Sequence, residues 1–227
     1  MKWIYDFQLF LFDFDGLLVD TERLHYQAYI NALSERGHTL DWSFLKFCQT
    51  AHLNAEALRE VLCSQFPDLE ADWKNFYEQK KKIYLELVAA GHTKLMPGVE
   101  DLLKALAEND IRRCVVTNSF YEQIALIRSQ LPILQTIPNW ITREYYEKPK
   151  PNAECYLKAI QLYGKAGDKI IGFEDSIRGI EALKATPALP VLICSASHPL
   201  LDLALNERVV HFESFEKIVS ESLFKVL

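Results

Sequence analysis

Two aspartates separated by one residue, Asp13 and Asp15, close an apolar run and precede Gly16 in the stretch FLFDFDGLLVDTE at 10–22. Alternate residues of an extended strand point to the same side, so both carboxylates can lean into one crevice where the strand ends. Carboxylates that close repel one another unless a cation intervenes or one of them holds a proton. The pair is therefore a candidate for metal binding and for acid/base work. A strand followed by Asp-Gly also describes a tight turn, so the reading gains force only from partners elsewhere in the chain.

Three later segments supply such partners. Thr117-Asn118-Ser119 offers a hydroxyl and backbone N–H groups where a strand meets a helix, which is an anion cradle as well as a capping sequence. Lys148, in the loop EKPKP, brings a cation that would balance a phosphoryl group and keep a nucleophile ionised. Glu174 and Asp175 bring hard oxygen donors of the kind magnesium prefers. The set comprises a nucleophilic carboxylate, an acid/base carboxylate, a hydroxyl, a lysine and a metal-binding acid. Capping explains each motif singly but not their joint arrival.

The elements that must position these residues follow from hydrophobic spacing. Residues 8–13 form a strand apolar on both faces, as a central parallel strand buried between helices should be. Asp20 stands where a helix N-cap belongs, and the helix it opens closes at Gly37. The next stretch, to about His92, is helical, near 41–49, 54–66 and 69–90, with Pro67-Asp68 and Ala90-Gly91 as breaks. Its aromatic residues Trp42, Phe44, Phe47, Trp73, Phe76 and Tyr77 suggest a small bundle with its own core. The run Lys80-Lys81-Lys82 is expected on a solvated helix face.

After Pro97, Val99, Leu102, Leu103 and Leu106 recur with helical spacing, and strand then alternates with helix to the end. Strands are expected through Val116, over 137–142, 169–173, 189–194 and 209–212, with a last helix from Ser214. This alternation predicts an α/β fold: a doubly wound, mainly parallel, Rossmann-like sheet with an inserted helical segment. Residues 1–19 and 94–227 would form the core and 20–93 the insertion. Such sheets bind ligands at the carboxyl ends of their strands, where Asp13, Asp15, Thr117, Glu174 and Asp175 fall.

At 227 residues the chain is long enough to bury a sizeable core. Its net charge of -6 argues against nucleic acid or an anionic membrane as a partner. No stretch reaches the roughly 18 apolar residues of a membrane span. Five cysteines without a CxxC pair, and acidic residues interrupting the first apolar run, point to a cytoplasmic protein with reduced thiols. A monomer or weak homodimer is expected.

On DFDGLLVDTE (13–22), VVTNS (115–119), KPKP (148–151) and GFEDSIRGIEA (172–182), the chain resembles the haloacid dehalogenase superfamily, specifically its phosphatase and β-phosphoglucomutase-like branch with a helical cap. The resemblance implies a magnesium-dependent phosphatase acting on a small phosphorylated metabolite. Asp13 would attack phosphorus to give an aspartyl phosphate, while Asp15 would protonate the leaving oxygen and then activate water. Thr117 and the backbone near Asn118 would hold the phosphoryl oxygens and Lys148 would neutralise charge. Asp175, the Asp13 side chain and the Asp15 carbonyl would ligate Mg2+, assisted by Glu174. His25 resembles a cap-hinge histidine with a role in substrate binding.

A dehalogenase of the superfamily would lack the second aspartate, present here as Asp15. The region FCQTAHLNAEALREVL (47–62) lacks the glycine-containing loop and the arginine of the mutases, with Ala51 and Asn54 at the matching positions and Arg59 one turn further. A phosphatase is thereby favoured over a sugar-phosphate mutase, and a catalytically silent binding protein of the same fold is the third reading.

Overall fold

In the computed structural model, residues 1–51, 55–196, 198, 201 and 208–224 are described; Asn54 lies outside them. Six parallel strands form one sheet in the order β3-β2-β1-β4-β5-β6. They are β1 (Leu9–Phe12), β2 (Arg112–Val116), β3 (Asn139–Ile141), β4 (Ile170–Glu174), β5 (Leu189–Ile193) and β6 (Val210–Phe212). Leu9 of β1 is in register with Arg112 of β2 on one side and Ile170 of β4 on the other. The chain winds outward through β2 and β3, then crosses back to continue from β4. The sheet therefore reverses its winding beside β1, which is where doubly wound sheets bind ligands.

The period-two geometry of β1 sorts its four buried residues onto two faces. Phe10 and Phe12 stack on Phe173 of β4 with ring centroids 6.2 and 5.3 Å apart, and Phe215 closes on Phe173 at 5.3 Å. Leu9 and Leu11 face the other way, into a cluster with Cys114, Val116, Ile141, Tyr146, Cys155 and Tyr156. Burying each large apolar side chain of this kind contributes about 1.5–3 kcal/mol, so β1 is gripped from both layers.

Helices α5 (Val99–Glu108), α6 (Tyr121–Gln130), α7 (Glu154–Tyr163) and α8 (Ile177–Lys184) connect the strands. Helix α5 buries Val99, Leu102, Leu103 and Leu106, the residues whose spacing marks its apolar face. Some element ends differ from expectation. The third strand is limited to Asn139–Ile141, immediately after Pro138, whose missing N–H cannot join the ladder. Past Ser214 the chain makes a 3-10 turn, Phe215–Lys217, before a short helix at Ser220–Phe224.

The chain divides into two compact units, Met1–Val19 with Lys94–Leu227, and Asp20–Thr93. The second contains α1 (Glu22–Ser34), α2 (Phe44–Ala51), α3 (Ala55–Gln65) and α4 (Asp68–Ala89). Trp42, Phe47 and Phe76 are buried in it, Phe44 and Trp73 are half-buried, and Tyr77 is exposed. The N-cap position of α1 is Thr21 and not Asp20, which instead approaches Arg23 at 3.6 Å. Lys80 departs from the expected solvated face and is buried, whereas Lys81 and Lys82 reach glutamates Glu78 and Glu86 outside the core. No described helix is long and apolar enough to cross a membrane.

Candidate active site

Three carboxylates meet where β1 and β4 end. Asp13, the residue after β1, is tied to the neighbouring strand by its N–H, which donates to Phe173 O at 3.0 Å. Glu174 ends β4 and Asp175 follows it. Oxygens of Asp13, Glu174 and Asp175 all lie within 4.8 Å of one another, and the three residues are buried.

Their shared cation is Lys150. Its ammonium donates to Asp13 Oδ1 at 2.5 Å, Glu174 Oε1 at 2.6 Å and Val116 O at 2.8 Å. The lysine expected there, Lys148, is exposed, and what it contributes is a backbone N–H donated to Glu154 Oε2 at 2.9 Å. The loop is held so that Lys150 faces inward. Asn118 Oδ1 accepts from the Lys150 N–H at 3.3 Å and from the Tyr146 hydroxyl at 2.6 Å, and the Lys150-Pro151 peptide is cis.

The electrostatics follow from burial and contact. Burial alone would lower the pKa of Lys150, but Asp13 and Glu174 outweigh it and hold the ammonium charged, with its pKa raised above an ordinary lysine's. Burial raises the Glu174 carboxyl, an effect that Lys150 opposes and the charge of Asp13 reinforces. The Tyr156 hydroxyl, raised by burial and then by Glu174, stays protonated and donates to Glu174 Oε1 at 2.5 Å.

Asp15 is held by the turn that follows β2. Gly16, at φ +78°, turns the chain with its N–H on Val19 O at 2.9 Å, a conformation that glycine adopts without strain. The Asp15 Oδ2 atom accepts from Ser119 Oγ at 2.5 Å and Thr117 Oγ1 at 3.3 Å. Thr117 Oγ1 also accepts the Ser119 N–H at 3.0 Å, so the turn after β2 holds Asp15 through two hydroxyls. Ser176, the residue after Asp175, caps α8 by accepting the Gly179 N–H at 3.2 Å.

His25 belongs to the helical unit. Its ring stacks on Tyr84 at 4.1 Å, and its Nδ1 is 2.7 Å from Lys80 Nζ. An ammonium can only donate, so Nδ1 is the acceptor and the imidazole is neutral. Burial, then the charge of Lys80, hold its pKa well below 6.5.

The structure thus brings Asp13, Glu174 and Asp175 together, places Asp15 with Thr117, and turns the Asn118 side chain toward the lysine loop. Sequence reasoning missed Lys150, Tyr156, Tyr146 and the clasp of Ser119 on Asp15. A signal existed for the first: KPKP presents two lysines, each followed by proline.

The donor set suits a divalent cation, since three buried carboxylates supply hard oxygens and Lys150 offsets only one of their charges.

A protein-family description, haloacid dehalogenase-like hydrolase, matches residues 7–186. Protein CbbY of Rhodobacter capsulatus is 26% identical over 190 residues, covering 80% of this chain and 83% of its own. A phosphorylated carbohydrates phosphatase of Thermotoga maritima is 27% identical over 178 residues, covering 77% of this chain and 79% of its own. Among solved structures, a β-phosphoglucomutase from Clostridium difficile superposes with a TM-score of 0.73 at 20% identity, covering 97% of this chain and 96% of its own. At that identity the likeness is one of fold.

Proposed function

The chain belongs to the haloacid dehalogenase-like hydrolases, and from that premise we propose that it is a magnesium-dependent phosphatase of a small phosphorylated metabolite, of the sugar-phosphate class, working through an aspartyl phosphate on Asp13. The observation that carries the reading is the buried contact of Lys150 with both Asp13 and Glu174 beside Asp175. An ammonium wedged between a candidate nucleophile and candidate metal ligands serves phosphoryl transfer, where catalysis consists of positioning and charge stabilisation.

Asp13, Glu174 and Asp175 would hold Mg2+, which when bound supplies positive charge to the phosphoryl oxygens. A carboxylate oxygen of Asp13 forms a bond to phosphorus as the bond to the substrate's ester oxygen breaks. Asp15 delivers its proton to that oxygen, which matters because an alkoxide is a poor leaving group. Asp15, now ionised, takes a proton from water as the water oxygen bonds to phosphorus and Asp13 departs. Inorganic phosphate is released and Asp15 is protonated again. Ser119 and Thr117 orient Asp15 for both transfers. Splitting the displacement in two lowers the barrier of each half.

The helical segment Asp20–Thr93 is, in this reading, the part of the chain in which substrate specificity is sought. The relative named as a carbohydrate phosphatase supports the substrate class. Filled chemical positions weigh against a silent binding protein, and the absence of glycine from 47–62, with Arg59 one turn beyond the matching positions, weighs against a mutase.

The test is release of inorganic phosphate from a panel of sugar, nucleotide and organic-acid phosphates with and without magnesium. Magnesium-dependent release, strongest on sugar phosphates, supports the reading. No release from any member, or conversion of a sugar phosphate to an isomer without free phosphate, overturns it.

A further inference from the structure

Tyr156 is fully buried on α7 and touches both halves of the charged cluster. Its hydroxyl donates to Glu174 Oε1 at 2.5 Å, the same oxygen that Lys150 reaches at 2.6 Å. The Lys150 ammonium also lies 4.8 Å from the centre of the Tyr156 ring. One side chain therefore supplies a hydrogen bond to the acid and an aromatic face to the base. The second Glu174 oxygen, Oε2, is 3.4 Å from Ser176 Oγ, a much weaker contact. The two strong donors thus converge on a single oxygen of that carboxylate.

We propose that Tyr156 is a positioning residue for this site, setting how the Lys150 ammonium is shared between Asp13 and Glu174 and which Glu174 oxygen is presented to the metal. The proposal rests on the phosphatase reading for its link to turnover, but its geometry concerns this chain alone. Without the hydroxyl, Glu174 Oε1 keeps one donor, Lys150, and competes harder for it. Lys150 is then drawn from Asp13, and the carboxyl group of Glu174 loses the bond that fixes its rotation. The consequence falls on the reacting groups, because Tyr156 has no place in contact with the substrate in this scheme.

Tyr156→Phe isolates the hydroxyl, since it keeps the ring and nearly the whole volume. It is compared with Tyr156→Leu, which removes the aromatic face as well. For Tyr156→Phe, kcat should fall about tenfold with KM within about twofold, the scale of one hydrogen bond to a charged group. Magnesium affinity, measured by calorimetry with the metal alone, should weaken several-fold, and Tyr156→Leu should lose more of both. A merely structural tyrosine would lower the melting temperature and leave kcat, KM and magnesium affinity of the folded protein unchanged. That result overturns the proposal, as does a wild-type protein that binds no magnesium. Absence of turnover in a wild type that does bind magnesium overturns the phosphatase reading alone, and the calorimetry on Tyr156→Phe then decides the positioning role.

Discussion

The Lys150 ammonium sits 2.5 Å from Asp13 Oδ1, bridging 137 residues of sequence to join the loop before α7 to the end of β1. Its neighbour two positions earlier, Lys148, faces solvent. The two lysines of one short loop are thus separated into a buried cation and a surface one.

Exchange of these two lysines for neutral residues should have opposite outcomes. Lys150→Met should lower kcat at least about a hundredfold, because an electrostatic partner of the reacting group is gone. It should also destabilise the protein by about 3 kcal/mol, since Asp13 and Glu174 would be left buried with their shared cation removed. Lys148→Ala should stay within about twofold of wild type, as expected for an exposed lysine away from the reacting groups. Steady-state kinetics and thermal melts of the two variants check both statements, and equal losses would place the cation role elsewhere.

Gly179 on α8 offers a contest of signs. Alanine is the better helix former by about 1 kcal/mol. Yet a Cβ at Gly179 would lie 1.7 Å from Glu174 Cδ, so the carboxyl group must move. Displacing a buried carboxylate from Lys150 and Tyr156 outweighs the propensity gain, and Gly179→Ala should melt at a lower temperature and turn over at least about tenfold more slowly. A variant more stable than wild type with unchanged kcat would show that Glu174 has room to shift.

His25 gives a pH dependence of stability. Its folded pKa is depressed below the ordinary 6.5 by burial and then Lys80. The unfolded chain therefore takes up a proton first as pH falls. The stability contributed by the neutral imidazole is complete above 6.5 and is lost as pH falls through 6.5 toward the folded value, with a slope of about 1.4 kcal/mol per pH unit. His25→Phe, which keeps a ring against Tyr84, should show a shallower fall in melting temperature between about pH 7 and about pH 5. Parallel curves for the two proteins would remove His25 from the account.

The legible parts of this protein were those written in local pattern. The LFLF run announced a strand buried on both faces, and Val99, Leu102, Leu103 and Leu106 announced the inner face of α5. Asp13, Glu174 and Asp175 were legible because strand ends in such a sheet converge. The choice between Lys148 and Lys150 was not, because it depends on Asn118, which accepts from Tyr146 and Lys150 across 28 and 32 residues of sequence. Lys80 looked solvated in a run of three lysines, although it shares a helix face with Phe76, Ile83 and Tyr84, all buried. Helical spacing carried that signal, and the charge run obscured it. Nothing local to Tyr156 reveals that its hydroxyl meets Glu174.

The most direct measurement is where the phosphoryl group resides during turnover. Acid quenching of the protein with a sugar phosphate and magnesium, followed by peptide mass spectrometry, should find one phosphoryl group on the peptide containing Asp13. Asp13→Asn should show neither the modified peptide nor phosphate release while retaining its fold. Phosphate release by Asp13→Asn at the wild-type rate, with no phosphorylated peptide in either protein, would contradict the covalent role of Asp13.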